Sequence, residues 1–186
     1  MKYPKLTSTE WEWCYYRMVM HENGSNVDTS NGIINYCKKY NINPFFGQCY
    51  SVTQAIYELA CDKELYYCVR EKDGSGVYHW WLEMKKEYRN REEYKGKWFK
   101  YVVDATRFQY SIKDDAGIDC PSRKYILYDW ENDNNEDYEV MKKPLWNASY
   151  KKKVLVMKDK LLEWKNTYEV TEDSTIKPID LTDFMS

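Results

Sequence analysis

The chain has 186 residues, enough for one domain with a sizeable core, and its hydrophobic fraction of 43% is ordinary for a globular protein. Charged residues make up 31% and the formal net charge is -2, so no global field favours nucleic acid or a membrane surface, and neither is expected as a partner. The start, Met1-Lys2-Tyr3-Pro4-Lys5, is followed by polar residues, and no run reaches the roughly 20 apolar residues of a membrane span, so a cytoplasmic location is expected.

In chain order, residues 9–21 carry Trp11, Trp13, Cys14, Tyr15, Met18 and Val19 close to helical periodicity, which predicts a first helix with Ser8 as its N-cap. A loop at 22–26 leads to a second short helix over 32–40, ending before Asn43-Pro44. After Cys49, the stripe Val52, Ala55, Ile56, Leu59 and Ala60 predicts a third helix running to about Cys61. Residues 65–71 and 77–85 read as two strands, and Asp73-Gly74-Ser75-Gly76 between them as the turn of a hairpin. The charged stretch 86–97 reads as a protruding turn or loop, and 98–103 as a third strand leading into Asp104. Further on, 129–139 is acidic and Asn-rich and reads as solvated loop. Residues 151–164 read as helix or strand then helix, and the tail from 171 as weakly ordered. Helices followed by strands point to an α+β fold in a single domain spanning 1–186.

Six cysteines (Cys14, Cys37, Cys49, Cys61, Cys68 and Cys120) could form three disulfides, but a reducing compartment predicts free thiols, with all but Cys49 read as core. No Cys-x-x-Cys pair occurs and the two histidines, His21 and His79, lie far apart, so no metal site is expected. The 19 Tyr and 8 Trp suit a core and cleft wall built from rings, each with a polar edge that needs a partner.

Three short runs carry chemistry. Cys49 lies in Phe46-Gly47-Gln48-Cys49-Tyr50 at the head of a predicted helix, where unpaired N–H groups and the helix dipole favour a thiolate. His79 lies in Tyr78-His79-Trp80-Trp81-Leu82-Glu83, and Asp104 in Val102-Val103-Asp104-Ala105-Thr106. In such a set the histidine takes the thiol proton and the carboxylate holds the other ring nitrogen, fixing the tautomer. The backbone N–H of Cys49 is the first donor for the oxyanion formed when sulfur attacks a carbonyl.

These runs resemble transglutaminases. Gly47-Gln48-Cys49 is similar to their nucleophile motif Tyr-Gly-Gln-Cys-Trp, with Phe46 and Tyr50 where its aromatics stand. His79-Trp80-Trp81-Leu82-Glu83 resembles their His-x-Trp-x-Glu strand, and Trp98 with Asp104-Ala105-Thr106 resembles the Trp and Asp-Pro-Thr that follow, with Ala105 in place of Pro. The resemblance covers roughly residues 46–106, with spacings of 30 and 25 residues. It implies a papain/transglutaminase-like core, a nucleophile helix packed on an antiparallel sheet. It further implies an acyltransferase or hydrolase, including thiol proteases, acting on a glutamine side chain or peptide amide of a protein or peptide substrate. Cys49, His79 and Asp104 would be catalytic and no cofactor is needed. A family tryptophan upstream of the cysteine donates an indole N–H to the oxyanion. Trp11 and Trp13 lie 38 and 36 residues before Cys49 and either could serve, with Trp13 favoured. Gln48 and Trp81 are further oxyanion or cleft candidates, and Glu83 reads as a surface or supporting group.

Each residue also has a plain structural reading. A cysteine at a helix start is often a small buried hydrophobe, a histidine in an aromatic strand is often a bonded core residue, and an aspartate often caps a turn. The same fold could serve as a non-catalytic peptide- or protein-binding module, for which a nucleophile paired with a base is superfluous. An arylamine acetyltransferase-like enzyme would need an acyl-CoA site that no feature marks, and 129–139 lacks the EF-hand pattern of a calcium loop.

Overall fold

The computed structural model describes residues 5–72, 76–110, 112, 138–145 and 147–167. Three helices come first: α1 (Ser8–Glu22), α2 (Ser30–Tyr40) and α3 (Cys49–Leu59). The hairpin strands β1 (Tyr66–Lys72) and β2 (Tyr78–Met84) follow, then two single-turn helices, α4 (Lys86–Arg89) and α5 (Trp98–Tyr101), the short strands β3 (Val102–Val103) and β4 (Glu139–Val140), and the long helix α6 (Ala148–Thr167). The strands form one antiparallel sheet in the order β3-β2-β1-β4, making the molecule α+β.

Helix α1 starts one residue earlier than its apolar pattern indicates, because Thr7 and not Ser8 is the N-cap. The Thr7 hydroxyl accepts the Glu10 N–H and the Glu10 carboxylate accepts the Thr7 N–H, a reciprocal capping box. Ser8 is instead buried and bound through its N–H and hydroxyl to Asp62 Oδ1, at 2.8 and 2.7 Å, which ties this helix end to the loop after α3. Helix α2 is capped by Thr29 and therefore begins at Ser30; Gly32 is required because a Cβ there would sit 2.4 Å from Val27 Cγ1.

Helix α3 is the most enclosed element. Seven of its eleven residues, Tyr50 to Ile56, are buried, and α1, α6 and β2 pack around it. The hairpin pairs in register from Tyr66 opposite Met84 to Lys72 opposite Tyr78. Alternation along β2 splits its side chains between the two faces of the sheet. Trp80, Leu82 and Met84 join the main core with the helices, whereas Trp81 joins Val69 and Val102 in a smaller cluster.

Several expectations are corrected. The third strand is only Val102–Val103, because residues 98–101 close a helical turn. The charged stretch 86–97 contains α4 and further turns, and α6 is helical throughout and extends beyond 151–164 at both ends. Glu139, the last residue of the stretch read as loop, pairs with β1 together with Val140; Arg70 and Glu139 stand opposite one another and form an ion pair at 2.7 Å. Cys61 is exposed and not core, since α3 ends at Leu59 and the chain turns outward. The tip of the hairpin turn (73–75), most of the acidic stretch (129–137), the tail from 171 and Cys120 lie outside the described residues. Among the described residues no helix is long and apolar enough to cross a membrane.

Candidate functional site

Gly47 adopts φ +78°, a left-handed conformation natural to glycine, and so reverses the chain immediately before α3. Gln48 is the N-cap residue without a side-chain cap bond, and Cys49 opens the helix, half-buried. Its backbone N–H lies in the first turn, where intrahelical geometry supplies no acceptor. The Cys49 Sγ lies 3.9 Å from the Tyr78 carbonyl oxygen, which brings the head of α3 to the start of β2 and next to His79.

His79 and Asp104 meet directly: His79 Nε2 lies 2.7 Å from Asp104 Oδ2, with both side chains almost fully buried. The other carboxylate oxygen accepts the Thr106 N–H at 3.1 Å and the Thr106 hydroxyl at 3.4 Å. The other ring nitrogen, Nδ1, has Gln109 Nε2 3.4 Å away, donating when Nδ1 is unprotonated. The ring is further fixed by stacking on Trp81, at 5.7 Å between centroids, and by the edge-to-face contact of Tyr110. Burial by itself pulls the His79 pKa down. The Asp104 charge and hydrogen bond, together with a hydrogen bond and charge interaction with Cys49, outweigh it and push the pKa up to about 10. The imidazole and the carboxylate thus form a bonded pair, and the sulfur lies beside it at the Tyr78 carbonyl.

The remaining candidates are placed differently. Trp13 and Trp11 are buried in the core, Trp13 edge-on to Tyr16, and both indole N–H groups lack a partner among the described residues. Gln48 is exposed, and its side-chain oxygen accepts only a long bond from the Ser51 hydroxyl. Trp81 directs its indole N–H to Glu83 Oε2 at 3.2 Å, so its contribution to the site is the ring face on His79. Glu83 is buried, not on the surface: it also accepts from Arg89 at 2.8 Å and from the Tyr138 hydroxyl at 3.1 Å.

Sequence reasoning missed a buried polar group behind Asp104. Glu12 Oε1 accepts the Asp104 N–H at 3.1 Å and is paired with Arg107. The Tyr16 hydroxyl lies 2.6 Å from the Asp104 carbonyl and 2.7 Å from Glu12 Oε1, and accepts from Arg107 Nε. Burial raises the Glu12 pKa despite the opposing Arg107 charge. The available signal was one carboxylate inside the aromatic run Trp11-Glu12-Trp13-Cys14-Tyr15-Tyr16, four residues before a tyrosine on the same helical face. Among the described residues no group of three or more His, Cys, Asp or Glu could hold a metal, and the five described cysteines are free. No protein-family model, curated protein or solved structure matches the chain.

Proposed function

We propose that the chain is a thiol enzyme of the transglutaminase-like, papain-related class, acting on a glutamine side chain or peptide amide through a thioester. The observation that carries this reading is the buried His79 Nε2 to Asp104 Oδ2 contact of 2.7 Å, with the thiol of a helix-head cysteine 3.9 Å from the carbonyl of the adjacent Tyr78. A histidine that only filled the core would need neither the charge partner nor the thiol.

In this reading the Cys49 proton passes to His79 Nδ1, and Asp104 stabilises the resulting imidazolium through Nε2. Sulfur attacks the carbonyl carbon, the C–S bond forms, and the carbonyl pair moves to oxygen, where the Cys49 N–H donates to it. An indole N–H from Trp13 or Trp11 is the second donor; what supports this role is that each is buried without a partner among the described residues. As the tetrahedral species collapses, the C–N bond breaks and the leaving nitrogen takes the proton from His79. Water or an amine then gives a proton to the imidazole and attacks the thioester carbon; the new C–O or C–N bond forms, the C–S bond breaks and the Cys49 sulfur takes the proton from the imidazolium, so that hydrolysis and transfer differ only in the second nucleophile.

The test is intact-mass analysis after incubation with glutamine-containing and amide-blocked peptides, comparing the parent with Cys49→Ala. Expected on the parent alone is an adduct equal to the peptide less ammonia, or to its acyl fragment. An adduct that persists in Cys49→Ala, or none with any peptide, would refute the reading.

A further inference from the structure

Resting on the thiol-enzyme reading, we propose that Glu12 and Arg107 are positioning residues, a buried ion pair that with the Tyr16 hydroxyl grips the Asp104 backbone on both sides of its Cα and holds its carboxylate against His79. Asp104 follows a strand of only two residues, Val102–Val103, whose ladder gives little restraint to what comes next. Its N–H is taken by Glu12 Oε1 at 3.1 Å, and its carbonyl receives the Tyr16 hydroxyl at 2.6 Å and Arg107 Nε at 3.2 Å. Both carboxylate oxygens are occupied as well, by His79 and Thr106. The backbone and the side chain of one residue are thus restrained together, and the backbone's partners come from α1 and from the turn that follows.

A purely structural role accounts poorly for this choice of residues. Glu12 is fully buried and Arg107 nearly so, and a buried ion pair is a weak stabiliser that apolar residues of similar volume commonly equal. What the pair supplies and apolar residues cannot is direction: an acceptor fixed at one side of a Cα and a forked donor at the other. Glu12 Oε2 is buried without a partner among the described residues, and Oε1 is the oxygen that holds the Asp104 N–H.

The clamp predicts that loosening it changes the chemistry of Cys49 through Asp104. The measurement is the rate of Cys49 alkylation by iodoacetamide from pH 5 to 9, followed by peptide mass mapping, with the exposed Cys61 as internal control. The parent is expected to react at Cys49 well below pH 8. Glu12→Gln should move that profile upward by about one pH unit, about tenfold in rate at pH 6, leaving Cys61 unchanged. Tyr16→Phe, which removes one hydroxyl and keeps the ring, should move it the same way by about threefold, and it carries the test if Glu12→Gln does not fold. In an Asp104→Asn background Glu12→Gln should add nothing, because the clamp acts only through that residue. Unchanged Cys49 profiles in folded variants, or an equal shift in the Asp104→Asn background, would overturn the clamp and leave the triad standing. A parent whose Cys49 stays inert below pH 8 would remove the thiol-enzyme reading, and the clamp with it.

Discussion

Asp104→Asn is the substitution on which the site's electrostatics turn. The fold raises the His79 pKa from 6.5 to about 10 against the opposing effect of burial. At about 1.4 kcal/mol per unit, the folded state favours the imidazolium by on the order of 5 kcal/mol. Thr106 donates its N–H to Oδ1 at 3.1 Å, so the asparagine variant keeps its carbonyl oxygen there and turns its NH2 toward His79 Nε2. That nitrogen must then accept, and the ring proton moves to Nδ1, the position that would receive the thiol proton in the proposed mechanism. With the charge gone, burial faces only Cys49, and the His79 pKa should fall below 6.5. Side-chain 15N shifts of His79 across pH 5 to 11 read both effects, and a chain with two histidines needs only one control substitution for assignment. Stability gives an independent readout. A raised histidine pKa contributes stability present in full below about 6.5 and lost as pH rises through about 10, so the gap between parent and variant should be widest at pH 6 and close toward pH 10. If an activity is found, it should fall by roughly 10³–10⁴-fold, the scale of a wrong-tautomer defect. An imidazolium persisting at pH 7 in the variant would refute the reasoning.

Two further predictions concern the scaffold. Thr7→Ala removes the hydroxyl half of the α1 capping box and should lower unfolding stability by about 1 kcal/mol in urea titrations, with Cys49 alkylation unchanged; no measurable loss would show that the Asp62 bonds to Ser8 suffice to hold that helix end. Leu161→Ala, at a fully buried position of α6, should lower it by about 2–5 kcal/mol, and a loss under 1 kcal/mol would mean that α6 is not packed into the core as described.

The helices and the hairpin were legible because burial acts through local periodicity. The stripe from Val52 to Leu59 and the strand-forming runs of β1 and β2 carry their structure within a few residues. Residues 98–101 misled because the aromatic run WFKY has high strand propensity, while its backbone closes a helical turn in which the Lys100 N–H reaches the Lys97 carbonyl. The sulfur, imidazole and carboxylate could be assembled only through neighbouring residues, since nothing in periodicity brings position 49 to 79 and 104. The polar group of Glu12, Tyr16 and Arg107 was illegible for a related reason. Glu12 Oε1 is bound by partners 92 and 95 residues away, which no local pattern brings together.

The three elements that would do chemistry are held by unequal means, and the inequality follows from where each sits. Cys49 opens a helix enclosed by α1, α6 and the sheet, so apolar packing fixes it. His79 lies on β2, which is paired on both sides, and its backbone position comes from the ladder. Asp104 has neither advantage, as it leaves the short edge strand β3. A group placed beyond the reach of packing and ladder can be located only by directional bonds, and in a dry interior these need partners whose own charges are balanced. The buried polar partners around Asp104, namely Glu12, Tyr16, Thr106 and Arg107, are therefore what the topology requires if the carboxylate is to stay within 2.7 Å of the imidazole.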